Sequence, residues 1–156
     1  MSSLSAAEPL RSDPRGDVVR LAQVAHKKHW RMSGDAGTGD VLAAVVTADW
    51  QRAVQAAYPN RFVAEQSVGQ LRERIDLVDL EDGVAYELKV SPNNDHFEFF
   101  RDIFKVIVAR DNGLPQLRAF CFLCLEEAAQ RYSSGLRKAV VLEGPRLGLM
   151  ISVAGL

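Results

Sequence analysis

Asp76, Glu87 and Lys89 lie in two short segments, Arg74-Ile75-Asp76-Leu77-Val78-Asp79-Leu80 and Tyr86-Glu87-Leu88-Lys89-Val90, joined through Glu81-Asp82-Gly83. Both segments read as strands, and side chains two apart on a strand share a face, so Glu87 and Lys89 point the same way. An Asp-Gly pair tolerates the positive φ angles of a tight hairpin turn. If Glu81-Asp82 are the central turn residues, Asp76 falls opposite Glu87. If Asp82-Gly83 are, it falls opposite Lys89. Either register gathers two carboxylates and an amine on one face, whereas a three-residue loop without a bulge sends Asp76 to the other face. Converging carboxylates need compensation, which a hard divalent cation such as Mg²⁺ supplies through oxygen ligands, with Mn²⁺ as a substitute. A metal there lowers the pKa of a bound water and neutralises a phosphate, and a neighbouring ammonium stabilises developing charge. That is chemistry for hydrolysing a phosphodiester. The plainer reading is a solvated cross-strand acid–lysine pair. Against it stand the apolar neighbours Ile75, Leu77, Val78, Leu88 and Val90, which make both strands look central.

The elements that must hold these residues follow from periodicity. Residues 1–16 are rich in Ser, Pro, Arg and Asp without a period and read as a flexible tail, leaving 17–156 as one domain. Asp17 is placed as the cap of a first helix through Val18, Leu21, Val24 and Ala25, ending in a basic group from His26 to Arg31. After the glycine-rich stretch 33–39, a second helix runs from Thr38 or Asp40 to Tyr58, where Pro59 and Asn60 stop it. Strands are expected over 62–68, 71–80, 84–90 and 117–125, and a helix over 96–110 with Phe97, Phe100, Phe104, Ile107 and Val108 as its buried stripe. A further helix over 126–136 and two last strands, Lys138–Leu142 and 147–153, complete the chain.

The segment from Arg74 to Val78 together with Glu87-Leu88-Lys89 resembles the PD-(D/E)XK nuclease superfamily, the restriction-endonuclease-like fold. The resemblance spans roughly residues 40–153, and its motif lies between Asp76 and Lys89. It departs from the family pattern in having Ile75 where a proline commonly precedes the aspartate. It implies an α/β fold, a central mixed sheet flanked by helices with core order αβββαβ. It also implies catalytic roles for Asp76, Glu87 and Lys89, with Asp76, Glu87 and the carbonyl of Leu88 around the metal. Relatives often add an acid from the first core helix, for which Asp40 and Asp49 are candidates, with Gln51 nearby, and Glu65 in the first strand is a third. On the following helix Arg101 and Lys105 lie one turn apart and are candidates for substrate phosphates, the alternative being pairing with Glu98 or Asp102.

The implied partner is nucleic acid, DNA before RNA. A homodimer is a further expectation, since one small chain supplies one active site and a double-strand cut needs two. A formal net charge of -1 argues against a protein that coats nucleic acid by bulk charge, but not against a local basic surface. Nothing resembles a secretory signal or a membrane span, and with two cysteines no disulfide framework is expected, so the expected location is the cytoplasm. His26 and His29 lack a third metal ligand, the glycines at 34–39 lack a phosphate-loop lysine, and Cys121 and Cys124 alternate in an apolar strand as core residues. Two other readings compete with a metal-dependent nuclease. One is a noncatalytic module of the same fold that binds nucleic acid or protein; the other is a small α/β protein whose hairpin charges are structural.

Overall fold

A computed structural model describes residues 13–33, 39–91 and 95–156. The chain opens with two helices, α1 (Pro14–Ser33) and α2 (Gly39–Ala57). Three strands follow, β1 (Phe62–Ser67), β2 (Arg74–Asp79) and β3 (Val84–Lys89), then α3 (Asp95–Asp111) and β4 (Ala119–Cys124). Short α4 (Glu126–Gln130), α5 (Gly135–Glu143) and two single-turn 3₁₀ segments lead to β5 (Met150–Gly155). The strands form one sheet in the order β1-β2-β3-β4-β5. The first three strands are antiparallel neighbours, while β3, β4 and β5 are parallel. Parallel pairs need crossovers, which α3 and the α4–α5 segment supply. The protein is therefore α/β, with a mixed sheet covered by helices on both faces.

Each face has its own core. Val18, Ala22, Val46, Trp50 and Val54 of α1 and α2 pack on Leu77, Tyr86, Leu88 and Leu123. The Trp50 indole N–H donates to the Val18 carbonyl at 3.0 Å and ties the two helices together. On the opposite face Phe99, Ile103 and Val106 of α3 pack on Val78, Ala85, Phe120 and Phe122. β3 and β4 are buried almost throughout, as expected of parallel strands covered on both sides.

Several sequence expectations need correction. The first helix begins at Pro14, and its cap is Asp13, whose carboxylate accepts from the Gly16 N–H at 3.1 Å. Proline is well suited to the first helical position. Asp17 instead accepts from the Tyr58 hydroxyl and from Arg20. Residues 1–12 and the glycine-rich 34–38 lie outside the described residues. Lys138–Leu142 is helical within α5, because the chain leaving β4 must travel back before β5 can run parallel to it. The stripe foreseen on the third helix is rotated. Phe97 and Phe104 are exposed, and the helix buries Phe99, Asp102, Ile103, Lys105, Val106 and Ala109. Two polar side chains on the buried face disguised it.

The β2–β3 hairpin fixes the register that matters. Leu77 pairs with Tyr86, Val78 with Ala85 and Asp79 with Val84. Gly83 closes the turn at φ 62°, and a Cβ there would lie 2.0 Å from the Gln116 carbonyl oxygen, so only glycine fits. Arg61 locks the hairpin from outside. Its guanidinium donates to both oxygens of the fully buried Asp79, at 3.0 and 2.8 Å, and reaches Glu81 and Asp82 at 2.9 Å. Asp79 also accepts from the Glu81 and Asp82 amides. Arg61→Ala should lower stability by about 2–3 kcal/mol in urea unfolding, the scale of charge-assisted hydrogen bonds lost at a buried carboxylate.

Candidate functional site

The register decides where the charged side chains meet. Continuing the β2–β3 pairing by one residue sets Asp76 opposite Glu87, the first of the two registers open to the sequence. The β1–β2 pairs Ala64–Leu77 and Gln66–Ile75 bracket Glu65 and Asp76. Glu65, Asp76 and Glu87 therefore form a row across three adjacent strands.

The sheet is irregular along this row. Glu65 has φ 52°, a left-handed conformation that costs energy in a non-glycine strand residue. Ile75 and Leu77 would share a face in a regular strand, yet Ile75 packs on the α3 side and Leu77 on the α1–α2 side. β2 thus turns over at Asp76. Gln51 of α2 repairs the gap: its side-chain amide donates to Glu65 Oε1 at 2.8 Å and to the Asp76 carbonyl at 2.7 Å. The Leu88 N–H donates to Asp76 Oδ2 at 2.9 Å.

A groove of about 540 Å³ opens over the row. Glu65, Asp76, Glu87, Lys89 and, from α3, Glu98, Arg101, Asp102 and Lys105 all line it. Glu98, Asp102 and Lys105 lie four and three residues apart on one side of the helix, next to its apolar face. Glu98 and Lys105 each answer a charge on the sheet, and Asp102 pairs with Lys105 within the helix. Glu98 Oε2 lies 2.6 Å from Lys89 Nζ. Lys105 Nζ lies 2.8 Å from Asp102 Oδ1, donates to the Arg74 carbonyl at 2.8 Å and sits 2.7 Å from Glu87 Oε1. The ammonium is thus buried between two carboxylates, Glu87 from the sheet and Asp102 from its own helix.

The electrostatics follow from this crowding. Burial pushes the Asp76 carboxyl from its ordinary 3.8 up to about 6, although the Leu88 amide and Lys105 pull it back. Glu87 is raised well above the ordinary carboxylate range by burial first and then by Asp76 and Asp102. Burial also raises Asp102, against the pull of Lys105. For Lys105, burial is the largest influence and acts downward, but Glu87 and Asp102 together outweigh it and raise the ammonium. Buried carboxyls that hold protons too tightly are a mark of functional sites.

Asp76, Glu87, Lys89 and Glu65 are thus brought into one groove, and Leu88 contributes its amide to Asp76. Asp49 is elsewhere, bound to Lys28 Nζ at 3.1 Å and His29 Nε2 at 3.0 Å, and hydrogen bonds from these two hold its carboxyl below the usual range. Asp40 lies at the start of α2, outside the residues whose side chains are described. Arg101 is on the groove's rim, half exposed and 3.1 Å from Glu73. Lys105 is not the free phosphate-binding cation foreseen, since its ammonium is buried among Glu87, Asp102 and the Arg74 carbonyl. Sequence reasoning gave Asp102 and Glu98 only as pairing partners of Arg101 and Lys105, and it noted Gln51 only as a neighbour of the candidate acids, without a role. The available signal was the polar stripe 98, 102 and 105 beside the apolar face of a phenylalanine-rich helix.

The donor set suits a hard divalent cation. Its ligating atoms are all oxygen, and the six acids lining the groove outnumber its two lysines and three arginines. Among the described residues no three metal-binding side chains already converge as a cage. Comparison with protein-family models, curated proteins and solved structures finds no match to this chain. Among the described residues no helix is long and apolar enough to cross a membrane.

Proposed function

We propose that this protein is a divalent-metal-dependent nuclease of restriction-endonuclease-like architecture that hydrolyses phosphodiester bonds in nucleic acid, DNA before RNA. The observation that carries the reading is the row Glu65–Asp76–Glu87 across a distorted sheet, facing a groove that also holds Lys89. Burial raises the Asp76 and Glu87 carboxyls, and perturbed carboxyls lining a groove are favoured at functional sites. The order α2-β1-β2-β3-α3-β4 is also the core order implied by the family resemblance.

Asp76 and Glu87 would hold the cation, with Mg²⁺ the natural choice and Mn²⁺ a substitute, and Glu65 is placed to join them. The cation would supply charge neutralisation at the phosphate and an acidified water. The chain's own residues do the rest. Gln51 fixes Glu65 and the Asp76 backbone, and the Leu88 amide orients the Asp76 carboxylate. Lys105, itself paired with Asp102, holds Glu87 from the helix side. Lys89 has its ammonium at the groove, and exchanging Glu98 for a substrate oxygen would place it to stabilise developing negative charge.

The test is incubation of the purified protein with supercoiled plasmid and single-stranded DNA, in Mg²⁺, in Mn²⁺ and in EDTA. Cleavage that requires the cation and stops in EDTA is expected. Binding without cleavage under every metal condition would instead identify a noncatalytic module.

A further inference from the structure

The outward strip of α3 has no use in the site described. Phe97 and Phe104 are 65% and 68% exposed, large values for phenylalanine on a helix otherwise packed against a core. Seven residues set the two rings about 10 Å apart along the axis. Arg101 stands between them, four residues after one and three before the other, and it also lines the groove. Its ion pair with Glu73 is exposed and cheaply exchanged. Across the rim, Arg72 and Arg74 are exposed, and neither side chain has an acidic partner among the described residues. The strip therefore offers flat apolar rings and available guanidinium groups along one lip of the acid-floored groove.

Resting on the nuclease reading above, we propose that this lip is a docking surface for single-stranded nucleic acid. Unpaired bases stack on Phe97 and Phe104, and Arg72, Arg74 and Arg101 track the phosphates toward Asp76 and Glu87. Aromatic side chains along a basic track are the usual means of holding a single strand without reading its sequence. A base inside a duplex has its faces occupied by its neighbours and cannot use these rings. A second copy of the chain fits less well. Phe97 and Phe104 flank Arg101 almost symmetrically, so antiparallel packing of two such helices, Phe97 on Phe104, would bring Arg101 against its own twin. A polyanion with planar apolar faces satisfies both the rings and the arginines.

The test measures binding in EDTA, where no cleavage intervenes. Fluorescent oligothymidylate of fifteen nucleotides is compared with an abasic strand of equal length and charge. Wild type should bind the thymidylate roughly tenfold or more tightly than the abasic strand. The F97A/F104A variant should erase that preference and keep the weak, salt-sensitive binding of both. Both substitutions are at exposed positions, so an unchanged melting temperature is the control for folding. Equal binding of the two strands by wild type, or an undiminished preference in the variant, overturns the proposal. So does a dimer in sedimentation that becomes monomeric in F97A/F104A, because the strip is then covered by a second copy. Plasmid cleavage in Mg²⁺ separates this result from the nuclease reading. Cleavage without base preference sinks only the docking surface, and base preference without cleavage sinks only the nuclease.

Discussion

Lys105→Met should lower the stability of the metal-free protein by about 3–5 kcal/mol, the range for removing one partner of a buried ion pair. The methylene stem survives in methionine, so lost packing is not the cause. What disappears is the ammonium that lies 2.7 Å from Glu87, 2.8 Å from Asp102 and 2.8 Å from the Arg74 carbonyl. Two carboxyls and a carbonyl are then left with no cation in a buried place. Asp102→Asn in the Lys105→Met background should recover part of the loss, since an amide needs no counter-charge. A double-mutant cycle in urea should show coupling of about 0.5–3 kcal/mol. Additive effects would mean that the contact between the two residues contributes nothing. The raised ammonium of Lys105 adds stability that is complete below its ordinary value of 10.5 and is lost only as pH climbs through its higher folded value. The cost of Lys105→Met should therefore show no dependence on Lys105 titration anywhere near neutrality.

The strands around the site were legible because β2 and β3 combine apolar runs with an Asp-Gly turn. Their register was open to two residues' difference, and it took Arg61 gripping Asp79 and the contact of Gly83 with the Gln116 carbonyl to close it. Neither contact is visible in a local pattern, because each joins residues far apart in sequence or depends on a backbone approach. Glu65 was recognisable as an acid in a largely apolar strand, but its left-handed backbone and its bond to Gln51 were not. The third helix misled for an instructive reason. Hydrophobic periodicity assumes that buried means apolar, and this helix buries Asp102 and Lys105 while exposing Phe97 and Phe104. A helix that buries an ion pair on one side and exposes phenylalanine rings on another breaks that assumption twice. Lys138–Leu142 misled differently, since its paired valines favour a strand locally, while topology requires the chain to travel between two parallel strands.

Asp76→Asn should abolish metal-dependent cleavage, by at least about a hundredfold, while making the metal-free protein more stable at neutral pH. The second half follows from the direction of the titration. The folded Asp76 carboxyl titrates at about 6, above its ordinary 3.8, because burial disfavours the charged form. The folded state therefore holds this proton more tightly than the unfolded chain does. The resulting stability is complete below about pH 4 and is lost as pH rises through about 6. A shift of this size corresponds to roughly 3 kcal/mol, as an upper bound for one half-buried group. Glu87 and Asp102, raised for the same reason, act in the same direction. Asparagine cannot ionise, and its side-chain oxygen can still accept from the Leu88 amide, so the variant should escape the loss. Urea unfolding between pH 5 and 7.5 should show wild type weakening with pH and Asp76→Asn weakening less. Mg²⁺ added at pH 7.5 should raise the wild-type melting temperature, because a ligand that binds only the folded state stabilises it by mass action. The same addition should leave Asp76→Asn unmoved. A wild type that is no weaker at pH 7.5 than at pH 5, or whose melting ignores Mg²⁺, would show that these carboxyls are not held under mutual repulsion for a cation to relieve.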